Sequence, residues 1–302
     1  MALYIPSIKA ATQRIIKAYI VEDYSTIKET MDYVLNTATI AGNEDDYHNC
    51  SVNLVEIDDY YNAVLLLKHG LKRYPKSTDI LADLLLYGLK CGKISEISPF
   101  YYNGLADVDK KFWSWRAFHF SIEFLMIYIQ YAENDEQQDA ITDEIKTLIA
   151  DYKRYRPTDE RAYMVEHDFY KLINQENNAE NSLKMALDSL KLCPQCALNY
   201  ADNLFAKGEY AKSIPILERT IKMAENQPSI NIGYAYYILA LSKESVLRNS
   251  GNDFNSDNIK PIYNAYYSAL EFLDDNMIHL REQCVKKVSI LERESGIKSD
   301  IA

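Results

Sequence analysis

Cys193-Pro194-Gln195-Cys196 has the spacing of half a tetrahedral zinc site or of a redox dithiol. Four-ligand zinc needs a second pair, and no other CxxC exists. The nearest approach to one is His48-Asn49-Cys50. The expected role of the stretch is a link between helices, with Pro194 as the breaker. Arg161 and His167 form an Arg-x5-His spacing on one predicted helix, a pairing of residue types that general acid–base chemistry can use. His48, His69, His119 and His279 are isolated and predict surface or packing positions. Acid pairs such as Asp45-Asp46 and Asp274-Asp275 fall in predicted loops and helix ends, where charge meets water. The basic residues Lys68, Lys72, Arg73 and Lys76 read as one solvated helix face. There is no nucleophile elbow, no phosphate-cradling glycine loop and no H-E-x-x-H. The expectation is no catalytic residue, no metal and no cofactor.

The elements that must carry these residues are helices. Hydrophobic residues make up 48% of 302, enough for a large core, while Gly (9) and Pro (8) are too few for a turn-rich β fold. A net charge of −11 makes nucleic acid an unexpected partner, because phosphates need a basic field. No apolar run approaches the ~20 residues of a membrane span. The N-terminus lacks a signal-peptide layout. Five unevenly spaced cysteines suggest thiols rather than a disulfide framework, so the expected location is cytoplasmic.

Residues 197–228 carry the clearest pattern. Tyr200, Ala201 and Leu204 share one helical face, Gly208 and Tyr210 mark a turn, and Ser213, Leu217 and Thr220 recur on a second helix. Such a hairpin cannot bury its apolar face alone and needs neighbours of the same kind. Residues 44–77 repeat it with Tyr47, Cys50, Ser51 and Leu54, then Asp59-Tyr60, then Ala63, Leu67, Gly70, Leu71 and Pro75. This order resembles the tetratricopeptide repeat (TPR), a 34-residue helix–turn–helix unit. Ser213 and Thr220 stand where the family usually has Ala, and Pro228 comes late.

The resemblance implies an all-α, right-handed solenoid of about seven helix pairs with a C-terminal capping helix. Residues 1–43 form a degenerate first pair, with Ile8, Ala11, Ile15 and Tyr19, then Ile27, Met31, Val34 and Leu35, turned inward. The acidic patch Gly42 to Asp46 closes it. Residues 44–108 hold two repeats, the second with Gly92 at its turn, Ser98 as a helix cap before Pro99, and Gly104-Leu105 at a small–large position. Residues 109–157 form an atypical aromatic pair: one long helix over 112–132, an acidic loop Glu133 to Glu136, and a partner from about Asp139 to Tyr155. Arg116 occupies a position that is normally apolar in the family. Residues 158–276 hold three repeats, interrupted by a polar loop from Arg248 to Pro261. Residues 277–302 form the cap and tail, with Met277, Leu280, Cys284, Val288 and Leu291 on its covered side.

In this family the first helix of each pair lines a groove. Carried across by resemblance, the groove positions include His48, Val52, Ala82, Leu86, Leu89, Ser114, Phe118, Ser121, Leu198, Asp202, Phe205, Tyr237, Leu241 and Glu244. The expected site is centred on His48, Val52, Phe118, Leu198, Asp202, Phe205, Tyr237 and Leu241. The excess of tyrosine (25, against 9 Phe) suits such a binding surface, though packing between helices is the alternative. A carboxylate clamp would need Lys and Asn where His48, Ala82, Val52 and Leu86 stand. The implied function is a non-enzymatic scaffold or adaptor that binds protein or peptide, with a peptide-sensing regulator as the alternative. A third reading rests on Arg161 and His167, whose spacing is similar to the Arg-x4–6-His of all-helical HEPN ribonucleases, although Ala162 follows the Arg here. The aromatic helix over 109–132 could also serve as a homo-oligomer face.

Overall fold

Helix starts are written into the sequence as capping side chains. Ser7, Asp23, Asn43, Asp59, Ser77, Ser114, Asn134, Asn231 and Asn255 each accept a hydrogen bond from the backbone N–H three residues on. Each such cap contributes about 1 kcal/mol by satisfying a donor that the helix leaves open. In the computed structural model, which describes residues 3–37, 39–104, 108–224, 230–251 and 255–295, these caps open a chain of α-helices. They are α1 (Ile8–Ile20), α2 (Tyr24–Asn36), α3 (Glu44–Val55), α4 (Tyr60–Arg73), α5 (Thr78–Lys90), α6 (Ile94–Gly104), α7 (Trp115–Tyr128), α8 (Asp135–Tyr155), α9 (Arg161–Leu172), α10 (Glu176–Ser189), α11 (Pro194–Ala206), α12 (Tyr210–Ala224), α13 (Ile232–Ser250), α14 (Ser256–Phe272) and α15 (Ile278–Ser295). Seven consecutive pairs and a final helix are thus present among the described residues.

The turn inside most pairs is one device used repeatedly. Glu22, Asp58, Gly92, Asn174 and Gly208 all adopt positive φ. In each case the next residue's N–H reaches back five positions: Asp23 to Ala18, Asp59 to Leu54, Lys93 to Gly88, Gln175 to Tyr170 and Glu209 to Leu204, at 2.8–2.9 Å. This is the Schellman closure, which occupies carbonyls that the helix end would otherwise strand. Its recurrence, 36 and 34 residues apart from Glu22 to Gly92 and again 34 apart from Asn174 to Gly208, makes the chain an all-α array of TPR-like hairpins. The sequence pattern finds Gly92 and Gly208 but not Glu22 or Asn174, because glycine marks the left-handed conformation more plainly than glutamate or asparagine.

The chain divides into two compact units, residues 1–165 and 166–302. In the first, α1, α3, α5 and α7 contact one another in order and form an inner layer, while α2 and α4 meet in a second layer. In the second, α10 to α15 pack consecutively, and α11 also reaches α13. Phe118 is sealed in the first core and stacks on Tyr152 with ring centroids 5.1 Å apart. Tyr47, also sealed, ties α3 to α4: it accepts from Arg73 and donates to Nδ1 of His69 at 2.8 Å.

Several local expectations need correcting. Tyr19 is exposed, and Ala18 takes the inward position. Glu44 to Asp46 do not close the first pair. They form the first turn of α3, where Asn43 and Asp46 make a reciprocal capping box. Pro99 does not start a helix; it lies inside α6. The carbonyl of Ser95, which loses its N–H donor to that proline, accepts from the Ser98 hydroxyl at 3.4 Å. The aromatic helix over 112–132 is broken into 3-10 turns on either side of α7, and Asp135 and Glu136 belong to the first turn of α8. Arg248 to Ser250 and Ser256 to Pro261 are helical, so the expected long polar loop shrinks to the link after Gly251. Leu105 and Pro228 lie outside the described residues.

His69 is expected to make the first unit acid-sensitive. Burial, with Arg73 and Lys72 nearby, holds its imidazole below the ordinary histidine range. The unfolded chain therefore binds the proton more readily, and the stability this group contributes is complete above the unfolded value of about 6.5. It is lost as pH falls through the lower folded value. The urea midpoint is expected to drop on acidification from neutrality, and to drop less in His69→Gln. Parallel midpoint–pH curves would count against this assignment.

Candidate functional site: the inner-helix faces

In the first unit the exposed side of the inner layer is split between charge and apolar surface. Asp83 of α5 is completely buried, yet it faces two basic side chains from neighbouring helices. His48 of α3 donates from Nδ1 to one carboxylate oxygen at 2.5 Å, and the Arg116 guanidinium of α7 pairs with the other. A further link joins the same helices where Ser114 donates to Asp79 at 2.5 Å. Arg116 also lies against the rings of Trp115 and Phe120, and Arg161 sits over Trp115 at 3.6 Å. A charge without water needs this degree of pairing.

Toward the C-terminal ends of α5 and α7 the surface becomes apolar. Leu86, Leu89 and Lys90 of α5 face Phe120, Glu123, Met126 and Ile127 of α7 across an open depression of ≈ 580 Å³. The five apolar side chains here are only partly covered, and Ile127 is 37% exposed. Leu86 and Leu89 are groove positions of the sequence reading, and the structure brings them together with α7 side chains that it did not include.

The second unit has a comparable buried acid. Glu244 of α13 accepts from Tyr266 of α14 at 2.8 Å, from Arg248 at 2.8 Å and from Lys287 of α15 at 3.1 Å. Burial works against its charge, but the hydrogen bonds from Tyr266, Arg248 and Lys287 outweigh it and hold its pKa below the ordinary glutamate range. The capping helix is therefore attached by more than its apolar face, which buries Cys284, Val288 and Leu291.

The expected centre of the site is partly core. Phe118, Leu198 and Tyr237 are buried, the last also hydrogen-bonded to Gln283, so none offers a surface to a partner. Ala82, Ser121 and Glu244 are buried as well. His48 and Val52 are partly exposed, and His48 is committed to Asp83. Asp202, Phe205 and Leu241 remain partly exposed: Asp202 accepts from Tyr234 at 3.0 Å, and Phe205 leans on Tyr210. The missed residues, Asp83 and Arg116, did leave a signal. His48, Asp83 and Arg116 are 35 and 33 residues apart, about one repeat, so complementary charges occupy matching places on successive first helices.

The other candidates for chemistry are engaged elsewhere. Cys193 and Cys196 are fully buried, and Pro194 opens α11 as its first residue instead of breaking a link. Arg161 pairs with Asp159 at 2.7 Å. His167 is buried and donates from Nδ1 to the Ala179 carbonyl at 3.0 Å. Of the basic stripe, Lys68 pairs with Glu96 and Arg73 holds Tyr47 and the Ile40 carbonyl. Among the described residues no three His, Cys, Asp or Glu side chains gather as metal ligands would.

The tyrosine excess has a structural use. Tyr101, Tyr152, Tyr234, Tyr263 and Tyr266 donate to Glu144, Asp159, Asp202, Glu292 and Glu244, each at 2.6–3.0 Å. A phenylalanine would fill the same space but leave a part-buried carboxylate short of a donor. Burial pushes these hydroxyls up, strongly for Tyr101 and Tyr266, so they stay protonated donors.

The geometry defines a TPR-like helical-repeat protein, with locked charge beside open apolar surface on α5 and α7 of its first unit. No family model matches the sequence, and no curated protein does. Solved structures do resemble it. TTC0263, a TPR protein of Thermus thermophilus, matches at TM-score 0.47 and 18% identity over 68% of this chain and 100% of its own. A tetratricopeptide repeat protein from Parabacteroides merdae matches at 0.47 and 11%, over 94% and 98%. Human IFIT1, as a dimer with m7Gppp-AAAA, matches at 0.43 and 11%, over 98% and 66%.

Proposed function

We propose that the chain is a non-enzymatic scaffold that binds another protein or a peptide segment through its inner-helix faces. The observation that carries this reading is the depression between α5 and α7, where Leu86, Leu89, Phe120, Met126 and Ile127 stay in contact with water beside the His48–Asp83–Arg116 charge cluster. Apolar surface costs free energy while it faces water and returns it when a partner covers it, at about 25 cal/mol per Å². The cluster holds the helices in place beforehand, so binding need not order them. In the second unit, Phe205 and Leu241 are the corresponding half-exposed side chains. The reading treats 1–302 as a single repeat domain and includes a cytoplasmic location, which the thiol state of all five cysteines suits. The acidic surface opposes nucleic acid as the main ligand.

A photo-crosslinking amino acid placed at Leu86, Ile127, Phe205 or Leu241 tests this in cells. Protein adducts identified by mass spectrometry are expected from the first-helix positions and not from Met185, an exposed control on α10. Equal crosslinking at Met185, or no protein adduct at any inner position, would reject the reading.

A further inference from the structure

The α5–α7 depression carries its two rim charges in opposite senses. Lys90 is the last residue of α5, exposed, and makes no hydrogen bond or ion pair with the described residues. Glu123, 40% exposed, pairs among the described residues with His119, at 3.2 Å. Between them lie five apolar side chains. The rim is therefore neutral on a chain whose net charge is −11. A basic partner drawn by that charge would find no acidic patch here, and an acidic one no basic patch.

A surface with one cation, one anion and an apolar centre is complementary to itself. A two-fold rotation lays apolar on apolar and sets each Lys90 toward the other copy's Glu123, as an isologous interface requires. The depression also sits at the C-terminal ends of its helices, an edge open to another body. Its apolar surface continues past Ile127 to exposed Tyr131, and through the Tyr128–Tyr102 ring contact to exposed Tyr102. That continuity matters because a specific interface needs about 800 Å² per partner.

We propose that this face pairs with the same face of a second copy of the chain, apolar centre to apolar centre, with reciprocal Lys90–Glu123 ion pairs. The proposal rests on the protein-binding reading and names its partner. It places the self-association surface on the outward side of α7 together with α5, not on the aromatic residues of α7 that face the core.

Charge reversal tests it directly. Sedimentation velocity on the full chain is expected to show a reversible dimer. Lys90→Glu and Glu123→Lys should each weaken it at least about tenfold, and the double reversal should restore it. Lys90 is exposed and Glu123 half-exposed, and unchanged circular dichroism would confirm folding of each variant. A wild-type chain that stays monomeric up to about 100 µM overturns the proposal, as does a double reversal that fails to rescue. The crosslinker at Leu86 separates the two failures. A monomeric chain that crosslinks a different protein loses this inference and keeps the protein-binding reading. A chain that crosslinks neither itself nor another protein loses both.

Discussion

Replacing Asp83 with alanine is expected to cost about 3–5 kcal/mol, because it strips the counter-charge from Arg116 inside the inner layer. The side chain has no exposure and serves two basic partners, His48 and Arg116, that are themselves mostly covered. Removing one member of a buried charge set leaves the other charge desolvated and unpaired, which costs more than the set contributes when intact. Asp83→Asn should cost less, since the amide oxygen still accepts from His48, although Arg116 keeps an uncompensated charge. Urea unfolding of both variants measures the cost. Hydrogen exchange should locate it in α3, α5 and α7, the helices that Asp83 joins. A loss under about 1 kcal/mol for the alanine variant would mean that the cluster behaves as an exposed ion pair. The same variant also probes binding, since the apolar depression lies on the two helices that this cluster aligns.

The residues around Asp83 show how far the sequence could be read. Apolar periodicity marks the buried Leu81, Leu84 and Leu85 as one helix face, because core burial leaves a period that survives in one dimension. It passed over Asp83, since a charge amid leucines has no periodic meaning until its partners are known. Arg116 was noticed only as an oddity in an apolar position. The two become one feature when repeats are laid side by side. Phe118 failed for a related reason: helix phase places a side chain on a face, but whether that face is covered depends on Tyr152, more than thirty residues away. The turn residues divide in the same way. Gly92 and Gly208 are legible, while Glu22, Asp58 and Asn174 reach the same conformation because the hairpin closure enforces it. The tyrosines were ambiguous between surface and core. Five of them are donors to acids on other residues, a relation that composition cannot express.

Gly233→Ala is expected to be the most disruptive small change in the second unit. A Cβ at this position would stand 2.4 Å from the Leu273 nitrogen, 2.6 Å from the Phe272 carbonyl carbon and 2.7 Å from the Leu273 Cα. These are backbone atoms at the end of α14, and no rotamer can move them aside. Overpacking that displaces side chains costs about 1–3 kcal/mol, so a clash with main chain belongs at or above the upper limit. The start of α13 must tilt away from the end of α14. That movement would open the contacts made by Ala235, Ile238, Leu239, Tyr266 and Ala269, and would part Tyr236 from Phe272, whose rings stack 5.8 Å apart. Gly251→Ala is the matched control: its φ of +69° makes a side chain unwelcome, but the added Cβ meets nothing within 4 Å. It should cost about 1 kcal/mol through backbone strain alone. Thermal unfolding with hydrogen exchange across α13 and α14 compares the two. If Gly233→Ala were no worse than Gly251→Ala, the close approach of these helices would not be what this glycine protects.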